Sequence, residues 1–402
     1  MAEFSLADYR WLASDEVAPL LCDLQQRLGH GGQVDVRLAA SLRKSHSASH
    51  VHLLLEQVEL RSRARAKFSR PEEMFFTRKG LEQATDEVLA AYKATRYAKV
   101  STDSRPLVDI CCGIGGDLLG LASLGPTIGY DQDHVTAHFA ALNLRRASRE
   151  QARVLAEWAS ANSVQEAAAW HIDPDRRQTG ERTIQLDDYQ PGPAALRDML
   201  ARNPSGAIKI APAAEIVVDE WPAMEREWLG SRGECRQQVL WFGELSRAVG
   251  QHSATVVDAA GAATSLAGDP REPLVPAAHV GAYVLEPDAT ILAARLAGTL
   301  AQQQQLQSIT PGGGYLTGDE PFLSPLVATF QVRDVLPFDL KKLKAYCREH
   351  GLGQLEIKKR GVEIEPFKLR REILAKGDNS AVILLTQFAG GVKSIVAERI
   401  TA

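Results

Sequence analysis

The stretch that most constrains this 402-residue chain is LVDICCGIGGD at 107–117. A short apolar run passes through Asp109, and the backbone must then turn at Gly113, Gly115 and Gly116. A stretch carrying Leu118, Leu119, Leu121 and Ala122 follows, and Gly125-Pro126 ends it. Glycine lets the chain bend sharply there and lets a ligand approach the backbone closely. The punctuation is that of a strand, a turn and a helix. A second apolar run, TIGY (127–130), leads into Asp131. It lies about 20 residues beyond the first acid, where a carboxylate can accept hydrogen bonds from both hydroxyls of a ribose. Further short apolar runs follow: RVLA (153–156), WHI (170–172), AIKI (207–210), VLWF (239–242) and TVV (255–257), with helix-like sequence between most of them. That alternation requires βαβ units and a mainly parallel sheet, so the fold class is α/β.

The same residues narrow the ligand. A dinucleotide fingerprint needs a third glycine, and Leu118 stands there. No GxxxxGK[ST] phosphate loop occurs. Asp109, with no pyrophosphate to accommodate, is suited to a cationic group, and S-adenosyl-L-methionine offers an ammonium and a sulfonium. A nicotinamide dinucleotide and an unliganded strand–turn–helix stay open as alternatives on these residues alone. Around this core, residues 1–100 read as a helical region. Leu53, Leu54 and Val58 recur at helical spacing, as do Val88, Leu89 and Tyr92. The basic stretch ELRSRARAKFSR (59–70) reads as a solvated helix face, with a phosphate-contacting face as the alternative. Ser231-Arg232-Gly233 predicts a hairpin turn, and 258–275, small and Gly/Pro-rich, predicts a connector or exposed loop. The reading gives a core at 101–275 and a small α+β domain at 279–402.

Motifs spread along the chain carry a resemblance: LRSRARAKF (60–68), MFFTRKGLEQAT (74–85), DICCGIGGD (109–117), DPDRR (173–177), KIAPAAE (209–215), GECRQQVLWFG (233–243), EPDATILAARL (286–296) and EIKKRG (356–361). The chain resembles the bacterial class I S-adenosylmethionine-dependent methyltransferases that end in a THUMP-like domain. The resemblance implies a Rossmann-like core with a mostly parallel seven-stranded sheet, a methyl donor as cofactor, and RNA, tRNA or rRNA, as partner. It assigns Asp109, Cys111, Gly113, Gly115 and Gly116 to the donor turn, Asp131 to the ribose and Glu157 to the adenine amine, where relatives usually have Asp. FFTRKGLEQAT is expected to pack over the cofactor cleft, with Gln83 and Thr85 as donor contacts.

Base-amine methyltransferases often carry [DN]PP[YF] after the fourth strand; this chain has Asp173-Pro174-Asp175-Arg176. Asp173 with Pro174 is the expected catalytic pair, Asp173 taking a hydrogen bond or proton from an acceptor amine. Arg176 and Arg177 are candidates to grip substrate as bidentate donors, and Lys209 is a candidate contact for substrate phosphate. The missing aromatic keeps open a protein that binds donor and RNA without transferring methyl; a small-molecule methyltransferase is a third reading. Basic residues cluster again at 341–371, diluted by glutamates. The formal net charge of −4 excludes only a uniformly basic nucleic-acid coat. Five cysteines, two of them adjacent, predict reduced thiols in a cytoplasm. No apolar run reaches the roughly 18 residues of a membrane span, the acidic amphipathic N terminus reads as mature sequence, and His46, His50 and His52 lack the spacing of a metal site.

Overall fold

A computed structural model of the chain describes residues 4–28, 36–101, 104–175, 184–373 and 376–401. The chain divides into two compact units: 1–210, 214–222 and 240–247 form the first, and 211–213, 223–239 and 248–402 the second.

The first unit opens with helices α1 (Leu6–Leu12), α2 (Ala18–Leu28), α3 (Val36–Leu42), α4 (Ala48–Ala64), α5 (Arg78–Gln83) and α6 (Glu87–Tyr97). Ser5, Ser47, Thr77 and Asp86 start four of them, each side chain accepting from a backbone N–H three residues on, which satisfies one of the donors that a helix start leaves unpaired. Leu53, Leu54 and Val58, one face of α4, are buried with Leu21, Leu24 and Phe76.

Strands β1 (Leu107–Ile110), β2 (Thr127–Tyr130), β3 (Ala152–Leu155), β4 (Ala169–Ile172) and β5 (Gly206–Ile210) follow, with helices α7 (Gly116–Leu121), α8 (His134–Arg146) and α9 (Pro193–Arg202) between them. All pair in parallel in the order β3-β2-β1-β4-β5. Every residue of β1, β4 and β5 is buried, whereas β3 at the edge is partly exposed, as expected of a parallel sheet covered on both faces. The chain leaves β1 toward β2 on one side and finds β4 on the other. That reversal opens a crevice beyond the carboxyl ends of β1 and β4. The last residues of β7 (Glu234–Phe242) complete the sheet in this unit, beside β5.

In the second unit, the start of β7 lies beside β6 (Met224–Ser231), and β8 (His252–Val257) and β9 (Ala263–Gly268) continue in the order β7-β6-β8-β9. The turn between β6 and β7 is Arg232-Gly233, both at positive φ, the two-residue hairpin expected there. β9 corrects the reading of 258–275 as a connector: Ala263–Gly268 pairs antiparallel with β8. Its alternation is weak because one buried leucine, Leu266, is its main anchor at the sheet edge. Strands β8 and β9 thus add to the seven expected.

A second sheet has seven strands: β10 (Tyr283–Pro287), β11 (Gln307–Ser308), β12 (Leu316–Gly318), β13 (Val327–Pro337), β14 (Leu352–Arg360), β15 (Asn379–Phe388) and β16 (Gly391–Ile400), with helices α10 (Ala289–Ala293), α11 (Ala297–Gln303), α12 (Leu340–Glu349) and α13 (Pro366–Ile373). Its order is β11-β12-β10-β13-β16-β15-β14, and only β14 and β15 run parallel. α12 and α13 pack on β14 through Leu343, Cys347, Leu369 and Ile373.

Candidate cofactor and acceptor site

The turn after β1 is built by conformation. Cys111, Gly113 and Gly115 have φ of 54°, 58° and 95°, and Gly115 caps α7. Only glycine takes such values without a Cβ penalty, so Cys111 holds a strained backbone position. Gly116 is glycine for space: a Cβ there would meet Thr85 N at 3.0 Å and Thr85 O at 3.1 Å. A Cβ on Gly113 would meet nothing within 4 Å, so that point of the turn faces open room. Gly116→Ala is therefore expected to cost about 1–3 kcal/mol through overpacking, read as a fall in urea midpoint, while Gly113→Ala acts through φ alone.

The turn lines a cavity of about 550 Å³ in the first unit. Asp109, Cys111, Gly113, Gly116, Asp131, Glu157, Asp173 and Pro174 all line it, as do Gln83 and Thr85 from the end of α5. Asp131 accepts from the N–H groups of Gly113 and Asp133, both at 2.9 Å. Each oxygen keeps a second lone pair for an incoming hydroxyl. Burial pushes the Asp131 carboxyl upward despite these bonds. Glu157 is exposed at the rim beside Trp158, a residue 54% exposed. Asp175 bonds Lys79 at 2.9 Å and forms a bridge with Gln190. Arg176 and Arg177 lie outside the described residues. Gly115 stands behind the turn, against Ala140.

Beneath the cavity the structure joins groups that the sequence reading had not connected. Asp109, 1% exposed, bonds His171 Nδ1 through Oδ1 at 2.7 Å. Lys93 Nζ lies 3.4 Å from His171 Nε2 and 2.6 Å from Asp117 Oδ1. An ammonium only donates, so Nε2 accepts and Nδ1 holds the proton that goes to Asp109. Thr85 Oγ1 donates to Asp117 Oδ2 at 2.7 Å and accepts from Lys209 Nζ at 3.0 Å. Lys209 also donates to Asp173 Oδ2 at 2.6 Å. Read from sequence as a substrate-phosphate contact, Lys209 is instead buried and engaged by these two partners. Burial raises the Asp109 carboxyl above its usual range, against the pull of His171. Burial works the same way on Asp117, but Lys93, His171 and Lys209 together hold it well below that range.

These residues fit a cationic nucleoside. With Asp109, Asp117 and Asp173 ionised, the two lysines leave one negative charge in excess. Asp109 Oδ2 is buried without a hydrogen-bond partner among the described residues, an acceptor in need of a donor. Cys111 and Cys112 are free thiols whose acidity burial suppresses, which argues against nucleophiles and for wall residues. No described group of histidine, cysteine or acidic residues has a metal-binding arrangement, and no helix among the described residues is long and apolar enough to cross a membrane.

A parallel sheet with a glycine turn over its reversal point and an acid at the end of β2 defines a Rossmann-like nucleoside-binding fold. A crystal structure from Porphyromonas gingivalis W83, of a protein described as a proposed methyltransferase, shares it: the TM-score is 0.74 at 18% identity, covering 99% of this chain and 98% of that one. Two Mycobacterium tuberculosis proteins, from strains CDC 1551 / Oshkosh and ATCC 25618 / H37Rv, are each named as an uncharacterized S-adenosylmethionine-dependent methyltransferase. Each is 29% identical over 354 residues, 85% of this chain and 94% of its own length. Residues 327–399 match the family described as THUMP domain-like, and residues 5–64 match a domain of unknown function. The chain is a homologue of S-adenosylmethionine-dependent methyltransferases and carries a THUMP-like domain at its C-terminal end.

Proposed function

We propose that this methyltransferase moves a methyl group from S-adenosylmethionine to a base nitrogen of RNA, in tRNA or rRNA. The observation that carries the reading is the placement of Asp173. It lines the same cavity as Asp109 and Asp131, Lys209 grips one oxygen, and Oδ1 has no partner among the described residues.

When bound, S-adenosylmethionine supplies a methyl carbon on a sulfonium, which needs alignment and exclusion of water more than activation. Asp109 Oδ2 receives the donor's ammonium, and the open face at Gly113 admits its methionine part. Asp131 takes the ribose hydroxyls. Glu157 takes the adenine amine, with the Trp158 indole beside it to stack on the purine. Asp173 Oδ1 and the Pro174 carbonyl would orient the acceptor amine, and Asp173 would accept the proton that the methylated nitrogen gives up. Arg176 and Arg177 follow directly in the chain and serve the RNA side.

The THUMP-like match and a local cluster of cations in the second unit support RNA. Lys341 and Lys342 on α12 and Lys368, Arg370 and Arg371 on α13 are exposed and have no ion-pair partner among the described residues. Phe367, 71% exposed, stands among them. Lys358 and Arg360 are instead neutralised by Glu286, at 2.6 and 3.1 Å. Unpaired cations with an exposed ring suit a phosphate backbone with unstacked bases.

The test is mass spectrometry of nucleosides from RNA of strains with and without this chain, paired with transfer of labelled methyl from the donor to the deletion-strain RNA. One methylated base present only with the chain, and labelled in vitro, is expected. Donor binding with no labelled RNA would favour the binding-protein reading, which the absent aromatic after Pro174 keeps in play. Label on small molecules alone would overturn the RNA assignment.

A further inference from the structure

A second cavity, again of about 550 Å³, lies among the N-terminal helices of the first unit. Leu12, Leu21 and Phe75 give it apolar walls, and Arg61, Arg65 and Arg146 line it with cations. Arg61 corrects the reading of 59–70 as a solvated face. It is 6% exposed, on the last turn of α4, donating from Nε to Met74 O at 3.0 Å and from Nη1 to Gln25 Oε1 at 3.2 Å. Its guanidinium carbon stands 5.1 Å from the centroid of the Phe75 ring. Both neutral acceptors leave its charge uncompensated; no carboxylate pairs with it among the described residues.

Buried charges in proteins are ordinarily paired, because water no longer solvates them. Here the neighbour is another cation. Burial and the charge of Arg146 lower the Arg61 pKa to about 10, with Glu72 acting in the opposite direction. Arg146, at the exposed end of α8, has no ion-pair or hydrogen-bond partner among the described residues. The two rim carboxylates do not cancel the cations: Arg70 takes up Glu73, which leaves Glu72 against Arg61 and Arg146. Asn143, three residues before Arg146 on α8, accepts from Phe75 N at 2.8 Å and donates to Phe75 O at 3.1 Å. The Phe75 segment beside Arg61 is therefore anchored to the helix that carries Arg146.

We propose that this cavity is a phosphate-binding site, distinct from the donor crevice, in which one phosphate group is held between Arg61 and Arg146 beside the Phe75 ring. Phosphate offers several oxygens to separate guanidinium forks, the pairing that planar five-donor cations favour. The phosphate can belong to free phosphate or a nucleotide, or to the backbone of the RNA substrate. Only the second source rests on the RNA reading above.

The experiment compares thermal unfolding of the full chain in inorganic phosphate and in chloride at equal ionic strength. A ligand that binds only the folded state raises the midpoint, so an upshift in phosphate is expected, abolished by Arg61→Gln and reduced by Arg146→Ala. Arg61→Gln can weaken the fold itself, but Arg146 is at an exposed helix end, so Arg146→Ala decides the matter. The source is read from RNA-oligonucleotide binding across salt concentrations. If the phosphate is RNA's, Arg146→Ala lowers the slope of log K against log salt by about one; an unchanged slope assigns the site to free phosphate or a nucleotide. No upshift in the unmodified protein, or one that is undiminished in Arg146→Ala, overturns the proposal. Donor titration by calorimetry stays unchanged in both variants, so failure here is distinguishable from failure of the methyltransferase reading.

Discussion

Asp173→Ala is expected to lower kcat for methyl transfer by about 10²–10⁴-fold, the usual worth of a positioned acid–base group, while calorimetric binding of S-adenosylmethionine persists. The reasoning is geometric. In the proposed site, donor affinity would rest on Asp109, Asp131 and the turn, whereas Asp173 reaches the cavity from the end of β4 with Oδ1 unengaged. Alanine also strips the buried Lys209 ammonium of the Asp173 carboxylate, so part of the loss is structural. Asp173→Asn separates the two. It keeps one oxygen for Lys209 but turns an NH2 group toward the acceptor amine, so it accepts neither the hydrogen bond nor the proton. If the carboxylate acts on the acceptor, Asn loses kcat as Ala does while the fold stays intact; if the loss in Ala is structural, Asn restores most of the rate. Full transfer by Asp173→Ala would remove Asp173 from the chemistry and move the search to the residues after Pro174.

Local signals in this chain were legible because local physics produces them. The glycine turn between β1 and α7, the Gly125-Pro126 stop and the Arg232-Gly233 turn each need special backbone angles or a break, and composition announces that need. The fully buried runs of β1, β4 and β5 are apolar for the same kind of reason. Asp109, Asp131 and Asp173 could be placed from sequence because a βαβ fold delivers strand ends to one crevice. Lys93, His171 and Thr85 could not be joined. Their contacts span separations from 24 positions, Lys93 to Asp117, up to 124, and a lysine in a helix reads as solvated until the fold buries it. His171, one residue before the end of β4 and opposite Asp109 in register, was within reach: an inward polar residue in an otherwise apolar strand signals a buried partner. Arg61 was missed for the opposite reason, since a run of alternating arginines gives no sign that one of them turns inward.

Lys93→Met is expected to destabilise the first unit by about 3–5 kcal/mol, the cost of removing one member of a buried ion pair and stranding the other. Lys93 is 2% exposed, and its charge offsets Asp117 at 2.6 Å. Burial depresses the Lys93 pKa and the attraction of Asp117 counters it, so the ammonium persists because the carboxylate is there. Asp117→Asn should then cost a comparable amount, whereas the double variant should cost less than the two together, because no unpaired charge remains; a double-mutant cycle in urea reads that coupling. The effect should also reach the donor. Without the ammonium, nothing obliges His171 Nε2 to accept, the Nδ1 proton is no longer committed to Asp109, and donor affinity should fall in Lys93→Met even at temperatures where the fold is intact. Strictly additive costs with unchanged donor binding would show that Lys93 only fills space, and that Asp109 is oriented by its strand alone.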